Sequence, residues 1–169
     1  MRSRLFLLIV LSIFSVCAFT EDKAQGQAAP EGDTVCTFGN GQQISIRYPE
    51  VTFSKGDLPR GKVWTPDNRP MYLFSQSDLA FGSTKVPPGA YSLYAIPGDQ
   101  GWTLVVNKGV ERGQPYDPSK DLAKMQAETA KLPSTADKLT LYFGRIAPDK
   151  CTLRIDYGKQ RAFADFAQK

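Results

Sequence analysis

The segment Ala90-Tyr91-Ser92-Leu93-Tyr94-Ala95-Ile96-Pro97-Gly98-Asp99-Gln100-Gly101-Trp102-Thr103-Leu104-Val105-Val106 decides the fold class. From Ala90 to Ile96, the residues Tyr91, Leu93 and Ala95 alternate with Ser92, Tyr94 and Ile96. That period of two belongs to an extended chain whose side chains point to opposite faces. Both series are largely apolar, which suits a strand covered on both sides. Pro97-Gly98-Asp99-Gln100-Gly101 then collects turn-forming residues, and Trp102 to Val106 reads as the returning partner strand. Upstream, Lys85-Val86-Pro87-Pro88-Gly89 reads as a turn, with Gly89 free to take a positive φ.

The same reading extends outward on both sides. Ile44, Ile46 and Tyr48 alternate with Ser45 and Arg47, a half-buried strand that Pro49 ends. Met71 to Ser75 is a short apolar run, and Leu79 to Phe81 continues the sheet. Asp121 to Lys131 contains good helix formers, yet Ala123, Met125, Ala127 and Thr129 alternate with Lys124, Gln126 and Glu128, so the period predicts a strand. Lys138 to Phe143 and Cys151 to Tyr157 alternate clearly, and Arg161 to Phe166 reads as a last edge strand. About eight short strands separated by turn signals predict an all-β, single-domain antiparallel β-sandwich or small barrel. Between Ser54 and Pro70, Gly56, Pro59, Gly61, Pro66 and Pro70 break any periodicity. A loop that long is either functional or disordered.

The chain has 169 residues, the size of one ordinary domain, and 41% hydrophobic residues, a globular composition. Its first 18 residues read as a signal peptide: Arg2 and Arg4 precede an apolar run from Leu5 to Val16, too short to span a bilayer. Cleavage is expected after Ala18, with Ala28 as a second site, and lipidation at Cys17 would anchor the chain to a membrane. Residues 19–34 read as a flexible tether and 35–169 as the folded domain. Without the leader the chain carries 19 basic and 17 acidic residues. A net charge of +2 with no basic block gives no case for nucleic acid. Cys36 and Cys151 remain as a pair in an exported chain, which favours a disulfide over two buried thiols. There is no histidine and no second thiol pair, so no metal or other cofactor is expected.

Several pieces together resemble a bacterial exported family, domain of unknown function 2911. They are Gly61-Lys62-Val63-Trp64, then Val86-Pro87-Pro88-Gly89-Ala90-Tyr91-Ser92-Leu93-Tyr94-Ala95-Ile96-Pro97-Gly98, then Trp102-Thr103, Asn107-Lys108, and Tyr116-Asp117 with Asp121 following. The similarity runs from about residue 42 to 144. It implies an all-β domain and supports a strand over Ala123 to Thr129, and it implies no activity. Members typically follow the Trp with Arg-Thr-Gly-Ala-Asn-Glu. Here Thr65-Pro66-Asp67-Asn68-Arg69 follows Trp64, so that Arg and Glu are out of register.

Without histidine, Ser-His-Asp and Cys-His catalysis are excluded. Asp117 and Asp121, with Asp67, are the carboxylates that a glycosidic acid–base mechanism would draw on. The competing reading makes Asp117-Pro118 a turn start and Asp121 its cap. Trp64 and Trp102 are either sugar-stacking platforms or core residues. The densest mixture of aromatic and polar groups is Lys62, Trp64, Asp67, Asn68 and Arg69. With Tyr116 and Asp117 these are the candidate binding residues. The expectation is an exported, non-catalytic binding or interaction module for a small molecule, a glycan or an envelope protein. The alternatives are a structural envelope protein and a carboxylate-dependent hydrolase acting on a glycan.

Overall fold

The computed structural model describes residues 30–56 and 58–169, so the expected leader and Cys17 lie outside the described residues. The strands are β1 Glu31–Thr37, β2 Gln43–Pro49, β3 Met71–Ser75, β4 Leu79–Phe81, β5 Thr84–Val86, β6 Gly89–Gly98, β7 Gly101–Asn107, β8 Asp121–Ala147 and β9 Lys150–Gln168. They form one antiparallel sheet in the order β1-β2-β3-β6-β7-β8-β9-β4-β5. The domain is therefore all-β, and the sheet is open, not a closed barrel. The deciding hairpin is present: β6 and β7 pair from Ser92↔Asn107 to Gly98↔Gly101 across Asp99 and Gln100.

Alternation puts the apolar sets on one side. Ile44, Ile46, Leu73, Leu93, Leu104 and Leu141 join a single core that every strand enters, β1 through Cys36 and the β4–β5 hairpin through Leu79, Phe81 and Val86. The sheet rolls until β1 lies against the far half of β8. There Phe143 N–H donates to Thr34 Oγ1 at 2.9 Å, and Gly39 N–H donates to Pro148 O at 2.6 Å. The Cys36–Cys151 disulfide, expected from sequence, ties β1 to β9 in the same region.

Three boundaries differ from the sequence reading. First, β1 begins at Glu31, inside the stretch assigned to a tether, and pairs from Glu31↔Pro49. Its small residue is there for packing: a Cβ on Gly32 would run into the Tyr48 ring. Second, the sheet has nine strands, and two of them are long. Strands separately expected over 121–131 and 138–143 are the two ends of the 27-residue β8. Those over 151–157 and 161–166 are parts of the 19-residue β9. Register shifts between Lys131 and Thr140 absorb Pro133, which has no N–H for the ladder, so the chain bulges instead of turning. On β9 the same is done at Gly158, whose φ of +61° and whose contact with the Phe53 ring leave no room for a side chain. Third, residues 161–166 are not a separate last strand but part of β9, which pairs with β8 at 160–163 and with β4 at Ala167 and Gln168. The expected turn at 85–89 is largely the short β5 and the start of β6.

The disulfide closes a loop with a sequence separation of 115 residues. Loop-closure entropy for that length gives about 4.8 kcal/mol as an upper figure. We expect Cys36→Ser with Cys151→Ser to lower the unfolding free energy measured by urea denaturation by a large part of that amount. A change under about 1 kcal/mol would show that the β1–β2 ladder alone holds β1 in place.

Candidate functional site

The β2–β3 connection, residues 50–70, is irregular but anchored at several points. Leu139 N–H donates to Val51 O at 2.9 Å and Phe53 N–H to Asp137 O at 2.7 Å, which attaches the outgoing chain to β8. On its return Gly61 N–H donates to Pro97 O at 2.8 Å and Trp64 N–H to Ala95 O at 2.7 Å. This segment extends the ladder along β6 beyond the end of β3. A 3₁₀ turn, Pro66–Asn68, follows, with Asn68 N–H bonded to Thr65 O and Arg69 N–H to Pro66 O.

The Trp64 indole turns inward and is only 5% exposed. It meets Trp102 edge-on at 5.9 Å and Tyr157 at 4.9 Å between ring centroids. The exposed-platform reading of Trp64 is corrected: the ring belongs to the core, as does Trp102, which is fully buried with its Nε1–H donated to Gln160 Oε1 at 2.8 Å. Pairing of Trp64 with Ala95 forces this inward direction, since Ala95 lies on the buried side of β6.

Above this cluster lies an open groove of about 510 Å³, lined by Val51, Thr52, Thr65, Asp67, Asn68 and one edge each of Trp64 and Tyr157. Asp67 (φ 51°) and Asn68 (φ 55°) both stand in the left-handed region, where non-glycine residues are uncommon. Two in succession amount to stored strain, of the order of 1 kcal/mol or more each. Both are exposed.

The other candidates stand elsewhere. Lys62 is exposed and does not line the groove. Arg69 points away from it, with Nη1 at 3.5 Å from Glu31 Oε1 and Nη2 at 3.1 Å from Asp67 Oδ2. Tyr116 and Asp117 belong to the connection between β7 and β8, which folds over the outer face of β6. Ser92 Oγ donates to Gly109 O, and Tyr94 packs edge-on against Tyr116 at 4.9 Å. That cover is why β6 reads as apolar on both faces.

Asn107, buried at the end of β7, organises this connection. Its Nδ2 donates to Asp117 O and Asp121 Oδ1, both at 2.8 Å, and its Oδ1 accepts from Gly109 N–H. Tyr116 OH donates to Asp121 Oδ2 at 2.6 Å, and Lys124 Nζ lies 2.9 Å from the same oxygen. Asp117 instead accepts from Ser119 N–H and Oγ, capping its own turn. The two carboxylates thus have separate partners and do not face each other. Burial pushes the Asp121 carboxyl up, but the hydrogen bonds from Tyr116, Asn107 and Lys124 outweigh it and hold it below the usual carboxylate range. Ser119 holds Asp117 low as well, through its side chain and then its backbone. Burial and the Asp121 bond keep the Tyr116 phenol protonated well above its ordinary value.

Sequence reasoning did not single out Thr52, Tyr157 or Asn107 as site residues. Tyr157 read as one more sheet-face residue, and Thr52 carries no local signal. Asn107 alone had one, as a polar residue closing an apolar strand.

Fold and site define a single-domain, open-sheet β protein with a loop-built polar groove and an asparagine-centred clasp. The chain belongs to the family described as Protein of unknown function (DUF2911), whose profile matches residues 32–165. Among curated proteins and among solved structures, none matches the chain.

The clasp predicts acid sensitivity. A folded carboxyl held below its unfolded value near 4 contributes stability fully at pH above about 5, and loses it as the pH falls through the folded value. Asp121→Asn should therefore melt lower than the parent at neutral pH, with the gap narrowing below about pH 4. Melting curves that stay parallel from neutral to acid pH would contradict this role.

Proposed function

We propose that the chain is an exported, non-catalytic binding module whose recognition surface is the groove edged by Asp67 and Asn68. The observation that carries the reading is the pair of adjacent left-handed, exposed, non-glycine residues on the rim of a polar groove. Strain of this kind persists only where surrounding structure over-determines it, and it clusters at ligand-contacting segments. Here the anchors at Thr52 and Trp64 hold the loop on both sides. Preorganisation of that sort lowers the ordering cost of binding.

The lining suits a hydroxyl-bearing ligand of the glycan type. Asp67 accepts, Asn68 both donates and accepts, and Thr52 and Thr65 do either, beside the aromatic edges of Trp64 and Tyr157. Export follows from the charged, short apolar leader at Met1 to Ala18. On this reading the module works in the envelope or outside the cell.

The test is titration of the mature domain with a panel of neutral oligosaccharides, followed by Asp67→Ala and Asn68→Gly. Asn68→Gly should raise the melting temperature by relieving the left-handed backbone, and both variants should weaken binding about 10-fold or more. If no oligosaccharide binds, or if binding survives both substitutions, the groove is not the recognition surface. Retention of Met1 on protein isolated from the native host would contradict export.

A further inference from the structure

A second pocket shares no lining residue with the groove. It encloses about 80 Å³ and is walled by Tyr48, Pro49, Pro70 and Tyr72. Three arginines line it, Arg47, Arg69 and Arg112, against one acid, Glu31. They come from separate parts of the chain: Arg47 from β2, Arg69 from the end of the 3₁₀ turn, and Arg112 from the β7–β8 connection. The β2–β3 and β7–β8 connections therefore meet here.

Glu31 does not neutralise the group well. It lies 3.5 Å from Arg69 Nη1 and 4.0 Å from Arg47 Nε, long for charge-assisted hydrogen bonds, which run about 2.7–2.9 Å. Asp33 stands opposite Arg47 across the β1–β2 ladder but does not line the pocket. Arg69 Nε and Nη2 are buried with no hydrogen-bond partner. Asp67 Oδ2 sits 3.1 Å from Nη2, so the two attract as charges, but the hydrogen-bond geometry is not met. Nε and Nη2 form one edge of the guanidinium, the edge that matches a carboxylate or phosphate with two parallel N–H groups. Leaving such donors unmet is unfavourable, which favours turning that edge to an acceptor when one arrives.

We propose that this pocket is a binding site for one oxyanion group, a phosphate or a carboxylate borne on a small molecule. Arg69 is the central donor, and Arg47 and Arg112 flank it. A cavity of this size holds a few waters or one such group, so the remainder of the ligand lies outside it. Glu31 is the resident competitor that an arriving anion displaces.

The experiment is an NMR titration of the mature, disulfide-bonded domain, following the arginine Nε–Hε signals. Inorganic phosphate and succinate are the two probes, each at constant ionic strength against a chloride control. The proposal expects saturable shifts at Arg69 and Arg47 at millimolar probe, with the responding probe naming the oxyanion. Arg112→Gln, in an exposed connection, should weaken binding by roughly 5-fold or more, and Glu31→Gln should tighten it. No saturable shift beyond the chloride control with either probe overturns the proposal. So does an affinity that Arg112→Gln and Glu31→Gln both leave unchanged.

Discussion

Burial of the Trp64 indole against Trp102 and Tyr157 is the contact on which the working part of this molecule depends. A connection of 21 residues between β2 and β3 would ordinarily be mobile, because loop backbone has few partners of its own. Here its middle is held by one large ring in the core and by two backbone bonds to β6, from Gly61 and Trp64. Truncating a buried tryptophan costs about 3–5 kcal/mol, a sizeable share of the roughly 5–15 kcal/mol that holds a domain together. The left-handed turn at Asp67 and Asn68 begins only three residues beyond that anchor, so its geometry is set by the core.

The second constraint is the rolled sheet. An open sheet has two edge strands, and its apolar face must be covered by something. The sheet covers it with itself, bringing β1 across to the far ends of β8 and β9, where Cys36 and Cys151 join. The long β8 makes this possible. Its residues up to Ala127 pair with β7, and from Glu128 onward it pairs with β9 across a bulged middle. The outer face of β6 is sealed separately by the β7–β8 connection, which Asn107 fastens. One consequence is that the end of the β2–β3 connection and the Arg112 stretch of the β7–β8 connection meet beside Tyr72, where the arginine pocket lies.

Much of the fold was legible because it rests on alternation. Ile44 and Ile46, Leu93 and Ala95, Ala123 and Ala127, and Leu139 and Leu141 all point inward as their spacing predicts. The Asp121–Lys131 segment shows period overriding propensity: its helix formers sit in a strand because β7 is there to pair with it. What escaped reading was set by distant partners. Gly32 looked like tether until Tyr48 was seen to lie over it. The strand expected over Asp121 to Lys131 runs on past Pro133, which on a long hairpin is only a bulge. The candidate site was half legible: the loop was identified from its prolines and polar residues, and Asp67 and Asn68 do line a groove. Trp64 faced the other way because backbone pairing with Ala95 sets its direction, and that pairing leaves no mark in the local sequence.

These elements combine into one account: a rolled β-sheet holds a long loop rigid and so presents a strained polar turn to solvent, with an arginine pocket beside it. The claim that carries the rest is rigidity of the loop. Native-state hydrogen exchange at individual amides tests it most directly, since loosely held segments exchange without global opening. The account predicts that Gly61 and Trp64 amides exchange nearly as slowly as those of β6, with Asn68 and Arg69 also protected. Exchange of these four amides at the rate of an unstructured peptide, while β6 stays protected, would contradict it.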